Sequence, residues 1–117
     1  MRKFDPSFYF ITDSTNYSEE EFLHRVELAL RGGVTLLQLR EKNKSTREYL
    51  ELAEKVHALT RRYGVPLIID DRVDVALAID AEGVHVGASD LPIAIARKLM
   101  GEDKIVGAAP CKHQGHT

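Results

Sequence analysis

Short apolar, β-prone runs alternate with stretches of helical period along the whole sequence, and this alternation restricts the chain more than any other feature. Phe8–Thr12 reads as a first strand, a β-rich run after Pro6. Ser18–Arg31 reads as a helix: Ser18 and Glu21 form a capping box, Phe22, Val26 and Leu30 repeat at helical spacing, and Gly32-Gly33 ends it. Val34–Leu39 is the second strand. Ser45–Tyr63 is the second helix, opened by Ser45 with Glu48, lined by Leu52, Val56 and Leu59, and closed by Arg61, Arg62 and Gly64. Val65–Asp70, Gly83–Val86 and Lys104–Ala108 supply three more strands. Arg72–Ile79 and Leu91–Met100 supply two more helices, the last with Pro92 in its first turn and Gly101 past its end. The order βαβαβαβαβ with short connections predicts an α/β fold, a parallel sheet joined by crossover helices. The strands are largely apolar, as expected when both faces of a sheet are covered. A doubly wound open sheet and part of a barrel both satisfy this pattern. No Gly-rich dinucleotide fingerprint follows the first strand, where Thr12-Asp13-Ser14 stands.

Composition narrows the classes further. Hydrophobic residues make up 44% and charged residues 29% of the 117, an ordinary globular balance. One domain is expected, residues 1–109, followed by an irregular tail, 110–117. The length is short for a whole α/β barrel, which typically takes about 250 residues. The net charge of −2, from 16 basic and 18 acidic residues, argues against nucleic acid, which calls for a basic excess or stripe. No apolar run approaches the roughly 18 residues of a membrane span, and Phe8–Ile11 is too short for a signal segment. The lone Cys111 excludes an internal disulfide, and a cytoplasmic location is expected.

In parallel α/β proteins function gathers at the carboxyl ends of the strands. The second strand ends in Gln38-Leu39-Arg40-Glu41-Lys42. Period two places Gln38, Arg40 and Lys42 on the side of Leu36, with Leu37 and Leu39 toward the helices. An amide and two cations there suit a phosphate or pyrophosphate, since Arg can bind two oxygens and Lys acts as a point charge. A solvated turn with a local Arg–Glu pair is the competing reading. The third strand ends in Asp70-Asp71-Arg72. Adjacent carboxylates can supply oxygens for Mg²⁺, or Asp71 can simply cap the next helix. Asp90, just before the fourth helix, has the same two readings. His85 alternates with valines and is expected either inside a barrel or as a satisfied core residue. Cys111, His113 and His116 lack zinc-site spacing.

Several of these segments together resemble the thiamine phosphate synthase family: Tyr9-Phe10-Ile11-Thr12-Asp13, Gln38 to Lys42, Asp70 to Ala78, Gly83 to Gly87, and Asp90-Leu91-Pro92. They fall in that family's order and spacing over roughly residues 7–107. The resemblance implies the N-terminal portion of a (β/α)8 TIM-type barrel, incomplete here. It implies a transferase of thiamine biosynthesis that joins hydroxymethylpyrimidine diphosphate to thiazole phosphate, with Mg²⁺ assisting departure of pyrophosphate. Gln38, Arg40 and Lys42 match contacts to the pyrimidine diphosphate, Asp70 stands on the substrate side, and Asp71 and Asp90 match the magnesium-binding carboxylates. No protein nucleophile is implied. Asp70 stands where the family usually has asparagine, so a metal or Arg72 is expected to offset its charge. Ala88 stands where the family often has glutamine, and Gly107-Ala108-Ala109-Pro110 lacks the serine that the family commonly carries there.

The family continues for about three more βα units, which hold the thiazole phosphate site. A truncated sequence, inactive alone, is therefore expected. Its open edges imply self-association or a second chain that completes the barrel. The alternatives are a non-catalytic, diphosphate-binding half barrel and a related thiazole tautomerase-like protein.

Overall fold

The computed structural model describes residues 5, 7–87 and 92–108. Among them, five strands alternate with four helices: β1 (Tyr9–Thr12), α1 (Glu19–Arg31), β2 (Leu36–Leu39), α2 (Thr46–Arg62), β3 (Leu67–Asp70), α3 (Val73–Ile79), β4 (Gly83–Val86), α4 (Ile93–Met100) and β5 (Ile105–Ala108). All pairings are parallel, and the strand order in space is the order in the chain, β1-β2-β3-β4-β5. This is the sequential winding of a partial TIM-type barrel. A doubly wound sheet would instead reverse its strand order at a switch point.

Both expected capping boxes form. The Ser18 hydroxyl accepts from the Glu21 N–H, Ser45 accepts from Glu48, and each glutamate reaches back to its cap. Phe22, Val26 and Leu30 are buried as their spacing predicts, as are Leu52 and Val56, whereas Leu59 is only partly covered.

Strands β2 and β3 start two residues later than expected, at Leu36 and Leu67. The reason is how the helices end. The Val34 N–H donates to Ala29 O at 3.3 Å and the Val65 N–H to Thr60 O at 2.9 Å, so both valines still close the preceding helix. Gly33 and Gly64 adopt left-handed φ of 101° and 68° just before them, which completes a Schellman exit in each case. Helix α3 leaves by the same route with Asp80 at φ 56° and Ala81 N–H on Ala76 O at 2.9 Å. Helix α4 begins at Ile93 with Pro92 as its cap, not in its first turn.

The two faces of the sheet have different surroundings. Leu37, Leu39, Leu67, Ile69, Val84 and Val86 pack with the buried stripes of the helices in one continuous core. On the other face Leu36, Ile68 and Ile105 form a small separate cluster, and Tyr9 and Ile11 are exposed. No helix covers this inner face among the described residues, so the expectation that both faces are covered holds for one only. The inner face is tight at its base. A Cβ on Gly83 would stand 2.5 Å from Ile105 O and 2.7 Å from Ile68 Cδ1, so only glycine fits.

Candidate functional site

Register decides which side chains meet on the inner face. Ile11 lies beside Gln38, Gln38 beside Ile68, and Asp70 beside His85. Neighbours in register on parallel strands point the same way, so Gln38, Asp70 and His85 share the face that also carries Tyr9. The period-two reading of β2 is thus correct: Leu37 and Leu39 face the helices and Gln38 does not.

Gln38 and Asp70 are both buried polar residues, and each is partnered. The Gln38 amide donates to the Tyr9 hydroxyl. The Asp70 carboxylate stands between two groups: Oδ2 lies 3.6 Å from Arg40 Nε and Oδ1 lies 3.3 Å from His85 Nδ1. A carboxylate with 7% of its side chain exposed needs such partners, because leaving it alone would cost its hydration. Arg72, one of the two groups expected to offset Asp70 (a metal being the other), turns away instead. Its guanidinium binds Asp74 at 2.8 and 3.1 Å and Thr46 Oγ1 at 2.6 Å.

Asp71 diverges from Asp70. Its φ of 66° ends β3 in a left-handed turn, its N–H donates to His85 O at 2.7 Å, and its Oδ1 accepts from the Gly87 N–H at 3.2 Å. It therefore does not cap α3. The cap position belongs to Arg72, with no side-chain cap bond. The carboxylate of Asp71 spans from the end of β3 to the loop after β4. Asp90 and the Cys111, His113 and His116 cluster lie outside the described residues.

At the end of β2, Arg40 continues the ladder by donating its N–H to Thr12 O at 2.9 Å, and its side chain is half exposed. Lys42 is exposed beyond it. Glu41 does not pair with Arg40, as a local turn would require. It accepts from the Ser14 N–H at 2.6 Å and from Ser14 Oγ at 2.8 Å, which ties the loops after β1 and β2 together.

Two tyrosines escaped the sequence reading. The Tyr49 hydroxyl lies under the rim, 2.9 Å from Leu39 O and 3.1 Å from Asp70 O, so it holds the ends of β2 and β3 together. Burial and then the Asp70 charge push this hydroxyl far up. Tyr9 is pushed up by burial, against the Gln38 hydrogen bond and with help from Asp70. Both hydroxyls stay protonated at neutral pH. The available signal for Tyr49 is its spacing of three and seven residues from Leu52 and Val56, which puts it on their buried face of α2. The pairing of Tyr9 with Gln38 joins residues 29 apart and leaves no local trace.

Among the described residues, no group of three or more His, Cys, Asp or Glu side chains could hold a metal ion by itself. Asp71 offers hard oxygen at a partly exposed strand end. That suits Mg²⁺, which commonly takes one or two carboxylates and fills its remaining positions from water and substrate phosphates.

Comparison with known proteins places this geometry. A sequence model of the family described as thiamine monophosphate synthase matches residues 8–114. The thiamine-phosphate synthase of Caldanaerobacter subterraneus is 52% identical over 109 residues, covering 93% of this chain and 51% of that protein. That of Enterococcus faecalis is 55% identical over 101 residues, covering 86% and 48%. The solved structure of thiamine phosphate pyrophosphorylase from Pyrococcus furiosus superposes with a TM-score of 0.75 at 44% identity, covering 86% of this chain and 48% of that one. The chain spans about half the length of the curated relatives it matches.

Proposed function

Because the chain belongs to the thiamine monophosphate synthase family, we propose that it carries the diphosphate-binding side of a transferase that couples hydroxymethylpyrimidine diphosphate to thiazole phosphate. In that reaction a carbon–oxygen bond to the diphosphate breaks, a carbon–nitrogen bond to the thiazole forms, and pyrophosphate leaves. The observation that carries the reading is the gathering of Gln38, Arg40, Asp70 and Asp71 at one end of the sheet. Arg40 can fork onto two phosphate oxygens and Lys42 adds a point charge beyond it. Gln38 and Asp70 present polar groups to the pyrimidine end from the inner face. Asp71, with Asp90, would hold Mg²⁺, which supplies neutralising charge for the departing pyrophosphate. The chain's own residues therefore bind and orient, and none acts as a nucleophile.

The unit that does this is residues 1–109, and its setting is cytoplasmic, in keeping with a lone cysteine. The thiazole side is assigned to the half of the relatives' length that this chain does not span. The chain alone is expected to bind and not to turn over. Calorimetry with the pyrimidine diphosphate and Mg²⁺ tests the first part: Arg40→Ala weakens binding by at least about tenfold, the loss expected when one partner of a close charge pair is removed. Equal affinity in the two proteins would sink the reading. Thiamine phosphate made by the purified 117-residue chain would overturn the expectation of inactivity.

A further inference from the structure

The ion pair between Arg40 and Asp70 joins one buried partner to one half-exposed one. Asp70 is fixed: it is 5% exposed, sits on β3 between β2 and β4, has its carbonyl held by Tyr49, and has Oδ1 occupied by His85. Arg40 lies one residue past the end of β2, with its backbone pinned to Thr12 and its side chain half in solvent. The contact itself is a single approach of Nε at 3.6 Å, not the two-pronged fork that guanidinium and carboxylate form at their strongest. Such a contact holds the side chain at the rim but yields to a ligand that offers several oxygens.

We propose that Asp70 competes with the diphosphate for Arg40, and that this competition lowers the affinity of the site for that anion. The inference rests on the reading of Arg40 as a diphosphate contact. A diphosphate that bridges Arg40 and Lys42 displaces the carboxylate, and a single phosphate that takes Arg40 bears the same cost. Asp70 is then a positioning residue that acts through Arg40. Its cost to the ligand is the fraction of time that Arg40 is held.

The experiment uses the full chain, inorganic pyrophosphate and inorganic phosphate as probes, and the variants Asp70→Asn, Arg40→Gln and the double variant, each checked for fold by circular dichroism. Asparagine keeps the shape and an acceptor for His85 but loses the charge. Asp70→Asn is expected to bind pyrophosphate about tenfold more tightly, as expected if Arg40 is held about nine-tenths of the time. The gain for pyrophosphate is expected to be at least as large as that for phosphate, so the preference between them does not narrow. In the Arg40→Gln background the same substitution is expected to gain nothing. A gain that persists there would mean plain repulsion and would overturn the proposal, as would unchanged or weaker binding by Asp70→Asn. A second measurement separates the proposal from the reading beneath it. Nuclear magnetic resonance of the Arg40 guanidinium should show slowed rotation in the parent chain and free rotation in Asp70→Asn. Free rotation in the parent would overturn the competition even if pyrophosphate binds. Absence of pyrophosphate binding in every variant would overturn both the reading and the proposal.

Discussion

Leu36 and Leu37 are neighbours in β2, both buried, and they face opposite sides of one sheet. Leu37 enters a core built by helices and strands together. Leu36 joins a small cluster with Ile68 and Ile105 among the described residues, on a face whose margin leaves Tyr9 and Ile11 exposed. The same residue type thus stabilises the fold on one side and lines unfinished space on the other. The comparison teaches how differently the two sides pack: the helix side holds the βα units together, and the inner side sets Gln38 and Asp70 beside a small apolar cluster.

The sharpest test sets those two leucines against each other. Leu37→Ala should cost about 2–5 kcal/mol, because removal leaves a cavity in packing that relaxes only in part. Leu36→Ala should cost about 1–2 kcal/mol, the transfer contribution without an enclosed void. Urea unfolding of both variants checks this, and equal losses would erase the contrast between the faces.

Acid should reveal the base of the helix side. Glu82 accepts from the Leu67 N–H at 2.8 Å and lies 3.0 Å from His57 Nε2. Burial pushes its carboxyl up, but the His57 and Leu67 hydrogen bonds and the His57 charge outweigh it and leave the group below its usual range. A depressed carboxyl contributes stability that is present above the unfolded value, about 4.3, and is lost as pH falls through the folded one. Melting temperature should therefore drop through that acidic window, and Glu82→Gln should flatten part of the drop. Exposed Asp74 and Asp80, depressed by Arg72 and Lys104, and Asp5 and Glu48, depressed by hydrogen bonds from Ser7 and Ser45, act in the same direction and share the remaining slope. A profile identical in Glu82→Gln would remove the pair from the account.

The smallest effect on stability should come from Ile11→Thr. Its side chain is 53% exposed on the inner face, so the change in folding free energy should stay within about 0.5 kcal/mol. Self-association, followed by sedimentation, should nevertheless weaken. Unchanged association would show that the inner face is not the adhesive surface.

Much of this was legible in the sequence because it depends on short-range rules. Capping boxes act over three residues, and strand period places Gln38 opposite Leu37 without knowledge of any partner. The strand starts at Val34 and Val65 were misread because an apolar residue serves equally well as a strand residue or as the residue closing a Schellman exit. The Arg72 alternative for Asp70 fails for a different reason. Arg72 is near in sequence, yet the left-handed turn at Asp71 carries it toward Asp74 and Thr46. Arg40 and His85 reach Asp70 only through pairing between strands, which depends on register over long stretches of chain.

Strand order equal to chain order has a kinetic consequence. Each new strand finds its partner already in place and lays down the template for the next, so no segment waits for one made later. Synthesis from the amino end, at about 5–20 residues per second, leaves time for each unit to settle before its successor emerges. Assembly can thus proceed like a zipper drawn in one direction, and β5 is the end at which drawing would continue.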